Sequence, residues 1–109
     1  MLEPILGSAN SERVLIFITA REEGYAREIA RFFETGLDTI QQQLERLEFG
    51  GVLVSRAAGR TRLYSLNPRY PFLEELKALL NKALTFYPED LREDLIMNRR
   101  RPRRADKPL

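Results

Sequence analysis

The chain has 109 residues, 43% of them hydrophobic, and a net charge of +2 from 18 basic and 16 acidic side chains. That composition fits one domain around a single modest core and is too apolar for a disordered chain. With no Cys and no His, disulfides, thiolate chemistry, imidazole metal ligation and the commonest general base are excluded, so no enzyme, metal site or cofactor is expected.

The charge is unevenly placed. Residues 99–107 hold six basic side chains and one acid, residues 71–98 hold three basic and six acidic, and residues 1–70 carry nine of each. Any anion-binding face must therefore arise from placement and not from overall excess. Apolar runs such as Val14 to Ile18 are far too short to span a bilayer. Met1 leads into Glu3 and Pro4 with no basic stretch before a long apolar one, so neither a signal peptide nor a membrane span is expected, and a cytoplasmic location is.

In chain order, Met1 to Gly7 suits a short helix that brings Leu2, Ile5 and Leu6 to a core or a partner. Ser8, Asn10 and Ser11 are capping residues ahead of a second helix. In it Val14, Leu15, Phe17 and Ile18 lie near helical spacing, and Ile16 makes the run apolar on more than one side. That predicts a buried central helix, ending at Gly24 as its C-cap. Tyr25 to Glu34 forms the next helix, with Ala26, Ile29, Ala30 and Phe33 at i, i+3, i+4 and i+7. The break at Thr35-Gly36-Leu37 is as short as a helix-turn-helix requires.

Asp38 suits an N-cap, and Gln41 completes a capping-box variant. The helix then runs to about Phe49, where Gly50-Gly51 stops it. Val52 to Ala57 and Thr61 to Asn67 alternate as strands around Ala58-Gly59-Arg60, and Pro68 closes the hairpin. Pro71 begins another helix with an apolar stripe of Phe72, Leu73, Leu76, Leu79, Leu80, Ala83 and Leu84. Pro88 breaks that helix, and residues 89–97 form one more short piece. A helix, a Gly-Gly stop and a basic hairpin follow the order of a recognition helix and a β-wing. The expected fold is mainly α with a small β-hairpin wing, a winged helix-turn-helix over 1–87, with a helical extension and Arg-rich tail over 88–109.

At about 100° per residue, Ile40, Leu44 and Leu47 share the core side of the 38–49 helix. Thr39, Gln42, Gln43 and Arg46 share a flank without an acid, and Gln41, Glu45 and Glu48 take the other. Gln pairs bidentately with adenine and Arg with guanine in the major groove, each good pair giving roughly 1–3 kcal/mol of discrimination. Thr39, Gln42, Gln43 and Arg46 are therefore candidate base contacts to double-stranded DNA, with Glu45 either reading a cytosine amino group or orienting Arg46. An ordinary amphipathic helix with a polar outer face has the same pattern. Arg56, Arg60 and Arg62 surround the hairpin turn and are candidate backbone contacts, or solubilising charges on a solvated edge. Tyr64 and Leu66 share a strand face and read as core. Arg99, Arg100, Arg101, Arg103 and Arg104 read as a basic arm on DNA, as a segment pinned to an acidic partner, or as a solvated tail.

The segments SANSERVLIFI, YAREIA, LERLEFGGVLVSR and GRTRLYSLNP together resemble the ArsR-like winged-helix regulators over roughly residues 4–85. That resemblance implies a homodimeric transcriptional regulator bound to operator DNA, with first and last helices forming the dimer interface. It makes Leu2, Ile5, Leu76, Leu79, Leu80 and Ala83 dimer candidates, against the alternative that each is core within one chain. The chain departs from the metal-sensing members in lacking every Cys and His, so soft-metal sensing is not carried over. The stretch from Tyr25 to Arg56 is also similar to winged-helix proteins found beside nucleotidyltransferases. The second reading is therefore a protein-interaction module, a partner of a neighbouring enzyme.

Overall fold

The computed structural model describes residues 1–97. The elements run α1 (Glu3–Leu6), α2 (Ala9–Arg21), β1 (Gly24–Tyr25), α3 (Ala26–Phe32), α4 (Leu37–Phe49), β2 (Leu53–Ala58), β3 (Thr61–Leu66), α5 (Leu73–Leu84) and α6 (Glu89–Met97). No helix among the described residues is long and apolar enough to cross a membrane.

The apolar run of α2 puts it at the centre. Val14, Leu15, Ile16, Phe17 and Ile18 are all at most 1% exposed, because α2 is packed on several sides by α1, α3, α4, α5 and α6. Each such side chain contributes roughly 1.5–3 kcal/mol by leaving water. The helix starts as the capping cluster predicts, with the Ser8 hydroxyl accepting from the Ser11 N–H at 3.0 Å. Its end differs from expectation. The left-handed C-cap is Glu22, at φ 77°, while Gly24 lies in β1. Gly24 is needed for closeness: a Cβ there would meet the Phe17 ring at 2.9 Å and Ile29 Cδ1 at 3.3 Å.

β1 was not legible as a strand, since two residues carry no periodicity. It pairs antiparallel with β3, Gly24 with Tyr64 and Tyr25 with Leu63, giving a sheet of order β1-β3-β2. The hairpin register sets Ser55 opposite Tyr64, Arg56 opposite Leu63 and Ala57 opposite Arg62. Gly59, at φ 65°, supplies the left-handed turn.

Leu80, Ala83 and Leu84 of α5 are buried, and Leu95 of α6 is completely so. Of the six dimer candidates, three follow the alternative of core within one chain. Leu80 at 0%, Ala83 at 4% and Leu2 at 8% exposure are already covered within one chain and belong to its core. Leu76 and Leu79 are partly buried against that core, and Ile5 stands 69% exposed.

Two buried charges tie the helices together. The Glu12 carboxylate accepts from the Tyr87 hydroxyl at 2.5 Å, the Leu2 N–H at 2.7 Å and the Met1 amino group at 3.1 Å. Burial alone would raise its pKa, but these three donors together hold it below the ordinary carboxylate value. Arg21 donates to the carbonyls of Leu95 and Asp94, both at 3.2 Å, and lies 3.5 Å from Glu28. Its guanidinium stacks over the rings of Phe17 and Phe32 at 4.6 and 5.1 Å. Through Arg21, α6 is joined to α2 and α3.

Candidate nucleic-acid interface

The candidate interface is built on α4 and the β2–β3 hairpin. Ile40, Leu44 and Leu47 are buried, which fixes the rotation of α4 about its axis and leaves Asp38, Thr39, Gln42, Glu45, Arg46 and Phe49 exposed. The N-cap of α4 is Gly36, not Asp38. Asp38 falls in the first turn, where its charge still favours the helix dipole, and the Thr39 hydroxyl donates to the Gly36 carbonyl at 2.9 Å.

Two side-chain links lock α4 to the hairpin. Gln41 donates from Nε2 to the Tyr64 hydroxyl at 3.3 Å and to Glu45 Oε2 at 3.1 Å. Ser55 donates to Glu48 Oε2 at 2.7 Å and accepts from Arg62 Nε at 2.9 Å. Burial pushes the Tyr64 phenol above its ordinary pKa, so it stays a neutral hydroxyl partner at neutral pH. Glu45 is thus held by Gln41 and does not orient Arg46, contrary to one of its two expected roles.

Arg46, though exposed, is engaged at the α1–α2 corner. Its Nη2 donates to the Ser11 hydroxyl at 2.9 Å and the Leu6 carbonyl at 3.2 Å, and its Nε to Gln43 Oε1 at 3.0 Å. The flank expected to read bases is therefore divided: Thr39 and Gln42 are exposed, while Gln43 and Arg46 are engaged with each other and with the α1–α2 corner. Sequence spacing places Arg46 on the correct flank but contains no signal for what α1 lays beside it.

The hairpin arginines are likewise separated. Strand alternation puts Arg62 on the face shared with Ser55 and Tyr64, and Arg56 on the opposite face with Leu63. Arg56 reaches Glu23 at 3.5 Å, and Arg60 stands at the tip without a partner among the described residues. Two arginines not predicted as contacts stand nearby. Arg27 and Arg31, one turn apart on α3, line a cleft of about 280 Å³ with Tyr25, Glu28 and Thr61. Their i, i+4 spacing was visible in YAREIAR, but their position beside β3 depends on the unpredicted β1–β3 pairing. Arg99, Arg100, Arg101, Arg103 and Arg104 lie outside the described residues. Among the described residues no three acidic side chains gather in a way that could hold a metal ion.

A three-helix unit of α2, α3 and α4, followed by a hairpin whose sheet takes in the short strand before α3, defines a winged helix-turn-helix. Solved structures share it. A mutant MarR from E. coli matches with a TM-score of 0.60 at 18% identity, over 96% of this chain and 75% of that one. The transcriptional regulator BldR from Sulfolobus solfataricus matches with a TM-score of 0.56 at 12% identity, over 94% and 71%. ZitR from Lactococcus lactis matches with a TM-score of 0.54 at 20% identity, over 74% of this chain and 64% of that one, so this chain spans under two thirds of ZitR. At such identities the fold is what is held in common. No family model and no curated protein matches the sequence.

Proposed function

We propose that the protein is a DNA-binding transcriptional regulator, not an enzyme. The observation that carries this reading is the pair of links, Gln41–Tyr64 and Glu48–Ser55–Arg62, that make α4 and the wing one body. A helix so held enters a major groove while the hairpin follows the backbone, without a separate ordering cost for either part. Thr39 and Gln42 are the base contacts, with Gln43 and Arg46 recruited only if they leave their partners at the α1–α2 corner. Arg60 and Arg62 contact phosphates, Arg56 does so after releasing Glu23, and the five tail arginines add charge.

The regulator acts as a homodimer on a pseudo-palindromic operator, two α4 helices entering major grooves about 34 Å apart. Its dimer face draws on the exposed Met1, Ile5, Phe72 and Phe86, each at least 55% exposed, and on the partly buried Leu76 and Leu79. The neighbours in structure fit a regulator of winged-helix type, and the ArsR-like resemblance read from the sequence is the finer form of this proposal. A cytoplasmic location accords with it.

The test is fluorescence anisotropy of the full chain with a labelled 30-base-pair duplex from upstream of its own gene and a scrambled duplex, across a salt series. Specific binding is tighter on the upstream duplex at every salt concentration. Equal, weak and steeply salt-dependent binding to both would assign the affinity to unspecific charge and overturn the reading. One observation favours the second reading, a docking module beside a neighbouring enzyme: Phe49, the last residue of α4 and one turn beyond Glu45, is 96% exposed. Loss of a captured partner on Phe49→Ser, with DNA binding absent, is the outcome that would replace the first reading by the second.

A further inference from the structure

We propose that the cleft between α3 and the start of β3 seats backbone phosphates of the bound duplex, with Arg27 and Arg31 as the residues that hold them. This rests on the DNA-binding reading and extends its footprint from the α4–hairpin body to α3. Arg27 and Arg31 are exposed, lie on one side of α3 at i and i+4, and have no hydrogen-bond or ion-pair partner among the described residues. By contrast Arg13 engages Asn10, Arg21 engages α6 and Glu28, Arg46 engages Ser11, Arg56 engages Glu23 and Arg62 engages Ser55 through Nε, while Arg60 and Arg69 have no side-chain partner among the described residues but do not line the cleft. Two uncommitted guanidinium groups therefore face one cleft.

The cleft also has neutral donors and a compensated acid. Thr61 lines it from the hairpin, one residue beyond the unpartnered Arg60 at the tip. Glu28 lines it too, but its carboxylate is 3.5 Å from Arg21 and accepts from the Tyr25 N–H at 3.2 Å. Arg21 thereby offsets part of its charge. Glu23, on the same side of the sheet, is faced by Arg56 at 3.5 Å. At about 280 Å³ the cleft admits a phosphodiester but is too open to define a small organic ligand. The planar, five-donor guanidinium is suited to that group, and in helix-turn-helix proteins the helix before the recognition helix crosses the backbone.

Phosphate contacts position a protein without reading sequence, which separates this site from α4. The experiment repeats the salt series above with an Arg27→Gln/Arg31→Gln double variant and an Arg27→Lys/Arg31→Lys double variant. Losing two phosphate contacts lowers the slope of log K against log salt by about 1.8 and weakens both duplexes by the same factor. The upstream-to-scrambled ratio is unchanged, and the lysine variant keeps the slope. If the wild type discriminates between duplexes but the glutamine variant keeps its slope, the cleft is overturned and the regulator reading stands. A variant that loses discrimination as well would make these base-reading residues and also overturn the cleft. If the wild type shows no specific binding, the regulator reading fails and the cleft with it.

Discussion

Replacing Tyr87 by Phe removes a single oxygen from the junction of α2 with the turn after α5. The Glu12 residue it serves is only 4% exposed, so water replaces the lost bond poorly. One hydrogen bond to a buried charged group contributes roughly 1.5–3 kcal/mol, against a total of about 5–15 kcal/mol for a domain of this kind. At about 4–8 °C per kcal/mol the melting temperature should fall by roughly 6–24 °C. Far-UV circular dichroism is the suitable probe, because the chain has no Trp and is mostly helical. The interaction also has a pH signature. Glu12 has a lowered pKa, so its contribution is full above the ordinary value of 4.5 and is lost as pH falls through the lowered one. Burial, with Glu12 as hydrogen-bond acceptor, raises the Tyr87 pKa above its ordinary 10.0, so its contribution is full below pH 10 and declines as pH rises beyond it. The difference between wild type and Tyr87→Phe should therefore be steady near neutrality and shrink in acid. Combined with Glu12→Gln, the effects should be non-additive by at least about 1 kcal/mol. A fall of less than about 2 °C at pH 7, or a difference that grows as the solution is acidified, would refute this account.

Four further substitutions probe the rest of the framework. Gly24→Ala drives a methyl into the Phe17 ring, which is fully buried and cannot yield; a loss of about 1–3 kcal/mol in urea denaturation is expected, and a neutral result would mean that β1 is free to shift. Arg21→Met keeps much of the stem's packing but leaves the carbonyls of Leu95 and Asp94 and the Glu28 carboxylate without their cation, at a cost of about 2–4 kcal/mol. Faster proteolysis within α6 should accompany it, and wild-type resistance would show that α6 is held by Leu95 alone. Arg46→Ala and Gln42→Ala should behave oppositely: the first loses about 1–2 kcal/mol of stability through its bonds to Ser11 and Leu6. The second stays within about 0.5 kcal/mol of wild-type stability but narrows the upstream-to-scrambled ratio, and unchanged discrimination would remove Gln42 from the base contacts.

What the sequence by itself determined was whatever depends on neighbours along the chain. Helical spacing of Ile40, Leu44 and Leu47 set the buried side of α4, the run from Val14 to Ile18 marked α2 as the central helix, and the turn at Gly59 placed the hairpin within one or two residues. Local chemistry was less binding where two solutions compete: Gly24 looked like a cap, yet the demand for close contact with Phe17 was stronger, and Glu22 took the left-handed position instead. The tertiary structure alone decided which polar groups remain available. Arg46 carries the right spacing for a base contact, but the end of α1 and Ser11, distant in sequence, supply it with acceptors. Arg56 and Arg62 are six residues apart, and strand alternation gives them opposite faces once the register is known. Arg27 and Arg31 became candidates only when β1 paired with β3 and brought α3 beside the wing. Spacing specifies where a side chain leaves its own helix or strand; the partner it meets there is set by long-range packing, which a single chain of letters does not encode locally.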